Sequence, residues 1–161
     1  VALNMAAQPI IGYNYGAKNF IRIRQTLFIC IKAATLVAFV GTIFVEAFPS
    51  LLIKTFNVSS KELLEIGTEG LRIFMLAMPI VGFQIIAGSY FQSIGKAAIS
   101  ATVSLLRQVI VLIPILLILP NYWGLTGVWA SAPISDIIAA VISFIFLQRE
   151  IKKLNSAVGI S

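Results

Sequence analysis

Four long apolar runs, separated by short polar or charged connections, constrain this sequence more than any other feature. Ile73–Gly95 carries no charged residue. About 20 residues at 1.5 Å each cross the ~30 Å hydrocarbon core of a bilayer, so this run alone is long enough to span one. Hydrophobic residues make up 59% of the chain and charged residues 11%, with a mean hydropathy of +0.99. A soluble domain carries about 25% charged residues, and less than half of that cannot dress a water-facing surface. Lipid is therefore the solvent for most of the chain.

These runs read as an all-α integral membrane protein, a polytopic helical bundle of four full transmembrane helices plus the end of a fifth. Residues 1–16 are the end of that earlier helix. Residues 17–24 form a basic loop with Lys18, Arg22 and Arg24. The spans cover about 25–48, 67–94, 98–119 and 125–148. Residues 149–161 form a tail with Arg149, Lys152 and Lys153. Pro49 ends the first span. Lys32 and Glu46 lie toward its ends, and Glu69 and Arg72 at the outer edge of the second span, all within snorkelling reach of the headgroups. Pro120-Asn121-Tyr122-Trp123-Gly124 is a turn with two interfacial aromatics. The apolar segment Val1–Ile11 has no basic leader, unlike a signal peptide. It reads as the start of a chain whose upstream portion is missing.

Lys and Arg favour the cytoplasmic side of membrane proteins. The segments before the first span and after the fourth are both basic and, with four spans between them, share a side. Residues 16–24, the turn at Lys96 and the C-terminus are thus placed in the cytoplasm. The connections after the first and third spans go outside, although Lys54 and Lys61 run against the rule there. The same rule accounts for the net charge of +6, so nucleic acid is not an expected partner. Pro79, Pro114 and Pro133 fall inside three successive spans. Each frees a carbonyl that neighbouring helices or water must satisfy, which points to bent helices around a cavity, as in transporters.

Ionisable groups at bilayer depth are expensive, and each needs a reason. Arg107 lies about ten residues, roughly 15 Å, from the cytoplasmic end of the third span. Asp136 lies about twelve residues, roughly 18 Å, from that end of the fourth. The two spans are antiparallel neighbours, so both side chains reach nearly one depth and are candidates for a buried ion pair. The pair is either structural, setting the register of two helices, or functional, with Asp136 exchanging partners during transport. On the second span Gln84 and Tyr90 are candidates to line a substrate cavity. Gln84 shares a face with Gly88, and the alternative for it is a hydrogen bond to a neighbouring helix. Gly12 and Gly16 form a GxxxG match, read as close helix packing or, at Gly16, as a helix stop. The chain has no His and a single Cys, Cys30, in an apolar run. No metal site, catalytic residue, cofactor or internal disulfide is expected, and the chain reads as a non-enzyme.

Three stretches resemble the multidrug and toxic compound extrusion family. Gln8-Pro9-Ile10-Ile11-Gly12-Tyr13-Asn14-Tyr15-Gly16-Ala17-Lys18 is similar to the loop signature that closes the second helix of each half. Tyr90-Phe91-Gln92-Ser93-Ile94-Gly95-Lys96 is similar to the FQ-x-x-GK turn between its tenth and eleventh helices. Leu106-Arg107-Gln108 through Pro114 and Leu119-Pro120, followed by Gly124-Leu125, Gly127-Val128-Trp129 and Pro133-Ile134-Ser135-Asp136, resembles its last two helices.

The resemblance implies a two-lobe, twelve-helix transporter, with this chain holding the end of helix eight and helices nine to twelve. It implies an antiporter that exports lipophilic cationic compounds by alternating access, driven by H+ or Na+, in the cell membrane. The implied partners are membrane lipid, small cationic organic substrates and the missing N-terminal lobe. Some members place a cation-binding Asp in the tenth helix. The matching span here has no interior acidic residue, so that site does not carry over. Two rival readings stand beside this one. A flippase of the same superfamily for lipid-linked saccharides or other lipids would use a more cationic cavity than the lone deep Arg107 suggests. A non-transporting structural membrane subunit would have little use for the prolines or the deep charge.

Overall fold

The computed structural model describes residues 2–55 and 60–158, and every element among them is helical. The order is α1 (Ala2–Gly16), α2 (Phe20–Ala47), α3 (Pro49–Lys54), α4 (Lys61–Met75), α5 (Met78–Ser93), α6 (Ala97–Leu105), a π-helical segment (Leu106–Val111) and α7 (Leu112–Val158). Residues 1, 56–59 and 159–161, assigned from the sequence to a helix end, a connection and the tail, lie outside the described residues. The helical stretches Phe20–Ala47 and Ala97–Leu154 are each long and apolar enough to cross a membrane, as is the bent α4–α5 pair taken as one span.

Capping decides where these helices begin. The Asn19 side chain accepts the Arg22 backbone N–H at 3.3 Å, so α2 starts at Phe20, ahead of the start at residue 25 read from hydropathy. Ser60 caps α4 through the Leu63 N–H in the same way, which moves that start from 67 to 61. Both caps satisfy donors that a first helical turn leaves without partners. Pro49 ends the first apolar run and also opens α3, in the first turn where its missing N–H costs nothing.

The second apolar run is two helices meeting at 43°. Pro79 cannot donate to the Met75 carbonyl four residues back. The Thr42 hydroxyl of α2, already bonded to the Ala38 carbonyl at 3.0 Å, reaches the Met75 carbonyl at 3.5 Å. Arg72 consequently sits in the last turn of α4, where it pairs with Glu46 of α2 at 3.6 Å. The two charges read separately as snorkelling groups meet each other.

Ala97–Leu154 comprises 58 helical residues, roughly 87 Å at 1.5 Å per residue, far more than one bilayer crossing needs. The stretch folds back on itself at Gly124, whose φ of 56° and ψ of −134° suit glycine alone. The turn expected over residues 120–124 narrows to this residue, and Pro120 remains helical. Residues 149–158, expected as a tail, continue α7, and Leu154 is buried in the core.

That core gathers where the α1–α2 loop, the α5–α6 turn and the end of α7 converge. Ile11, Ile23, Leu27, Tyr90, Phe91 and Leu147 anchor it. Lys96 closes it by pairing with Glu150, whose side chain is 9% exposed. The two glycines of the GxxxG match serve different ends. A Cβ on Gly12 would lie 3.2 Å from the Ser93 carbonyl of α5, whereas one on Gly16, where α1 ends, would meet nothing within 4 Å.

The helix pair α2 and α5 approaches closely at Gly82, where an added Cβ would lie 2.9 Å from the Ala34 carbonyl oxygen. Backbone cannot move aside as a side chain does. Gly82→Ala is expected to cost about 1–3 kcal/mol through overpacking and to lower the midpoint of thermal unfolding in detergent. Gly41→Ala, where the new carbon meets nothing within 4 Å, should not lower it. Equal losses in the two variants would contradict the close α2–α5 approach.

Candidate functional site

Arg107 stands in the π-helical segment. Pro114 offers no N–H and crowds the carbonyl of Ile110, and the backbone just upstream is widened, with the Leu112 N–H bonding the Arg107 carbonyl five residues back. Such wide turns are often found at functional sites. Here the turn leaves the Arg107 carbonyl open to a second donor, the Ser135 hydroxyl of α7, at 2.9 Å.

The Arg107 side chain completes a three-helix network. Its Nη1 donates to Asp136 Oδ1 at 2.9 Å and to Gln84 Oε1 at 3.4 Å. Gln84 Nε2 in turn donates to the Asp136 backbone carbonyl. Arg107 and Asp136 are 29 residues apart in sequence, which would be about 44 Å along a straight helix. The fold at Gly124 brings them into contact. Their side chains are 31% and 18% exposed, so protein covers most of both charges, and each needs the other.

The guanidinium lines two cavities. A polar one of about 220 Å³ is bounded by Asn4, Gln84, Ser89, Gln92 and Ser100 together with Arg107. Gln92 Nε2 donates to Ser100 Oγ at 3.1 Å. Ser89 Oγ and Asn4 Oδ1 are buried with no hydrogen-bond partner among the described residues. A mostly apolar cavity of about 300 Å³ is bounded by Phe74, Met78, Leu112, Ala132 and Asp136, again with Arg107. Phe74 and Met78 flank the α4–α5 break, so the bend set by Pro79 helps to shape this second volume.

The structure therefore brings Gln84, Arg107 and Asp136 together at the cavities. Gln84 lines the polar one and bonds across to α7 at the same time. Tyr90 does neither. It is 0% exposed, its ring packs edge-on to Phe91 at 5.4 Å, and it belongs to the core. The correction follows from helix geometry, since six residues past Gln84 point to another face. Ser135 and the π-helical turn escaped the sequence reading. Pro114, a few residues beyond Arg107, was the available signal for the turn.

The MatE family model matches residues 1–118. Among solved structures the chain is similar to the MATE multidrug transporter DinF-BH in a ligand complex, with 37% identity and a TM-score of 0.85 over 91% of this chain and 33% of that one. It is also similar to the inward-facing conformation of a multidrug resistance MATE family transporter of the MOP superfamily, with 22% identity and a TM-score of 0.88 over 95% of this chain and 36% of that one. An outward-facing conformation of such a transporter gives 22% identity and a TM-score of 0.87 over 95% of this chain and 35% of that one. The chain thus spans about a third of the length of the structures it matches. No curated protein matches.

Removing Arg107 alone would strand Asp136 as an unpaired charge. Such a loss costs about 3–5 kcal/mol for a fully buried pair, and less here because Arg107 is partly uncovered. Arg107→Ala is expected to lower the yield of monodisperse folded protein on size exclusion in detergent. Adding Asp136→Asn should restore part of that yield. A double variant as poor as the single one would show that the two residues are not coupled.

Proposed function

The chain belongs to the MatE family, and we propose that it forms much of the C-terminal lobe of a cation-coupled antiporter exporting lipophilic cationic compounds. Family membership and the long apolar helices make it a multi-pass membrane protein. The observation that carries the reading is the Gln84–Arg107–Asp136 network, set between a polar and an apolar cavity. A coupled transporter needs a group whose pairing changes when an ion arrives. Asp136 has that chemistry. Binding H+ or Na+ weakens its hold on Arg107, and loss of the ion restores it. The apolar cavity, with Phe74 and Met78 at its wall, suits the flat hydrophobic body of an organic cation.

Three further points support this. DinF-BH, at 37% identity, is a multidrug transporter. The inward-facing and outward-facing structures match this chain almost equally, with TM-scores of 0.88 and 0.87, as expected of a lobe that rocks as a unit during alternating access. Basic residues at Lys18, Arg22 and Arg24 and again at Arg149, Lys152 and Lys153 favour a cytoplasmic C-terminus in the cell membrane. The partner of this lobe is the remaining part of the full-length protein. A lipid flippase is less well supported, because Arg107 is the one cation on either cavity wall among the described residues, and Asp136 already neutralises it.

Transport of a fluorescent organic cation by the full-length protein in proteoliposomes, under an imposed H+ or Na+ gradient, tests the reading. One of the two gradients should drive uphill movement. Asp136→Asn should reduce that movement at least tenfold, about 1.4 kcal/mol or more, while substrate binding persists. Gradient-driven transport unaffected by Asp136→Asn would remove Asp136 from coupling. Absence of cation transport under either gradient would sink the reading as a whole.

A further inference from the structure

An apolar cavity elsewhere in the bundle shares no lining residue with the charged network. It is a groove of about 480 Å³ between α2, α5 and α7, walled by Phe28, Ile31, Phe83, Val141, Phe144 and Ile151 among others. Phe83 and Phe144 face each other across it with ring centroids 6.4 Å apart. Along α7 its lining runs from Ile137 to Ile151, about 21 Å of helix, more than the ~15 Å depth of one leaflet's hydrocarbon. The groove is open sideways, since Phe28, Val141 and Phe144 are 42%, 55% and 51% exposed. On α5 it uses Ile80 and Phe83, whereas the polar cavity uses Gln84, Gly88 and Gln92. The two linings share no residue and meet along one edge of the helix, where Ile80 and Gln84 are one turn apart.

One end of this groove is basic. Arg24 is one turn before Phe28 on α2, and its guanidinium lies 5.8 Å from the centre of the Phe28 ring. On α7, Lys152 directly follows the groove residue Ile151 and lies one turn beyond Gln148, and both Arg24 and Lys152 are exposed. We propose that this groove holds one acyl chain of an anionic phospholipid, with its phosphate held at the mouth by Arg24 and Lys152. The walls offer an acyl chain continuous apolar contact and almost nothing to orient a polar ligand. The mouth offers two cations at the end where the headgroup layer lies. A zwitterionic lipid would fill the groove equally well but gain less from the two cations.

The test uses the full-length protein extracted from bilayers of equal phosphatidylglycerol and phosphatidylcholine, with retained lipid counted by native mass spectrometry. Wild type should retain phosphatidylglycerol severalfold over phosphatidylcholine. The double variant Arg24→Gln with Lys152→Gln should lose that preference, whereas Arg22→Gln with Lys153→Gln should keep it. Ala140→Phe, which fills the groove, should lower retention of both lipids. Loss of preference in both double variants to the same degree would mean non-specific surface attraction and overturn the proposal. So would absence of retained lipid in wild type, the result expected if the rest of the protein covers the groove.

Discussion

A guanidinium keeps its charge at any physiological pH, so an arginine set deep among apolar helices has to be neutralised where it stands. Arg107 meets that requirement by drawing on α5 through Gln84 and on α7 through Asp136. The requirement fixes the register of these helices, because a shift of a single residue would turn Asp136 about 100° away from the pair. It also accounts for the backbone around Arg107. In the π-helical turn its carbonyl accepts the Leu112 N–H, and Ser135 adds a second donor beside the ion pair.

The remainder of the bundle follows a related rule. Backbone groups inside lipid must find partners within the protein, and each proline breaks one such pairing. At Pro79 the helix bends, and a hydroxyl from α2 approaches the freed carbonyl. Upstream of Pro114 the helix widens, and a hydroxyl from α7 adds a second donor to the Arg107 carbonyl, which the Leu112 N–H already meets. Small hydroxyl side chains on neighbouring helices thereby become the connections between them. The α4–α5 break and the π-helical segment both border the apolar cavity beside Arg107.

The opposite kind of packing is found around Tyr90 and Phe91. There α1, α2, α5 and the end of α7 close on a dense apolar cluster, locked by Lys96 and Glu150. This apolar end contrasts with the cavities around Arg107. Much of this was legible in advance. Counting residues from the ends of two antiparallel spans was enough to set Arg107 and Asp136 at one depth, and a glutamine amid apolar residues marked Gln84. Tyr90 was misplaced because closeness in sequence says little about which face of a helix a side chain occupies. The buried Glu150 was absorbed into a basic tail, because its partner Lys96 is 54 residues away.

Composition and runs of about 20 residues are local properties, and they were enough to read the solvent, the helical class and the number of apolar runs. The sequence also determined that any deep charge would need a partner. Packing in three dimensions settled which hydroxyls from other helices reach the carbonyls near the prolines, and that a single glycine folds 58 helical residues back on themselves. Those outcomes rest on distances between residues far apart in the chain, and no local pattern encodes such distances.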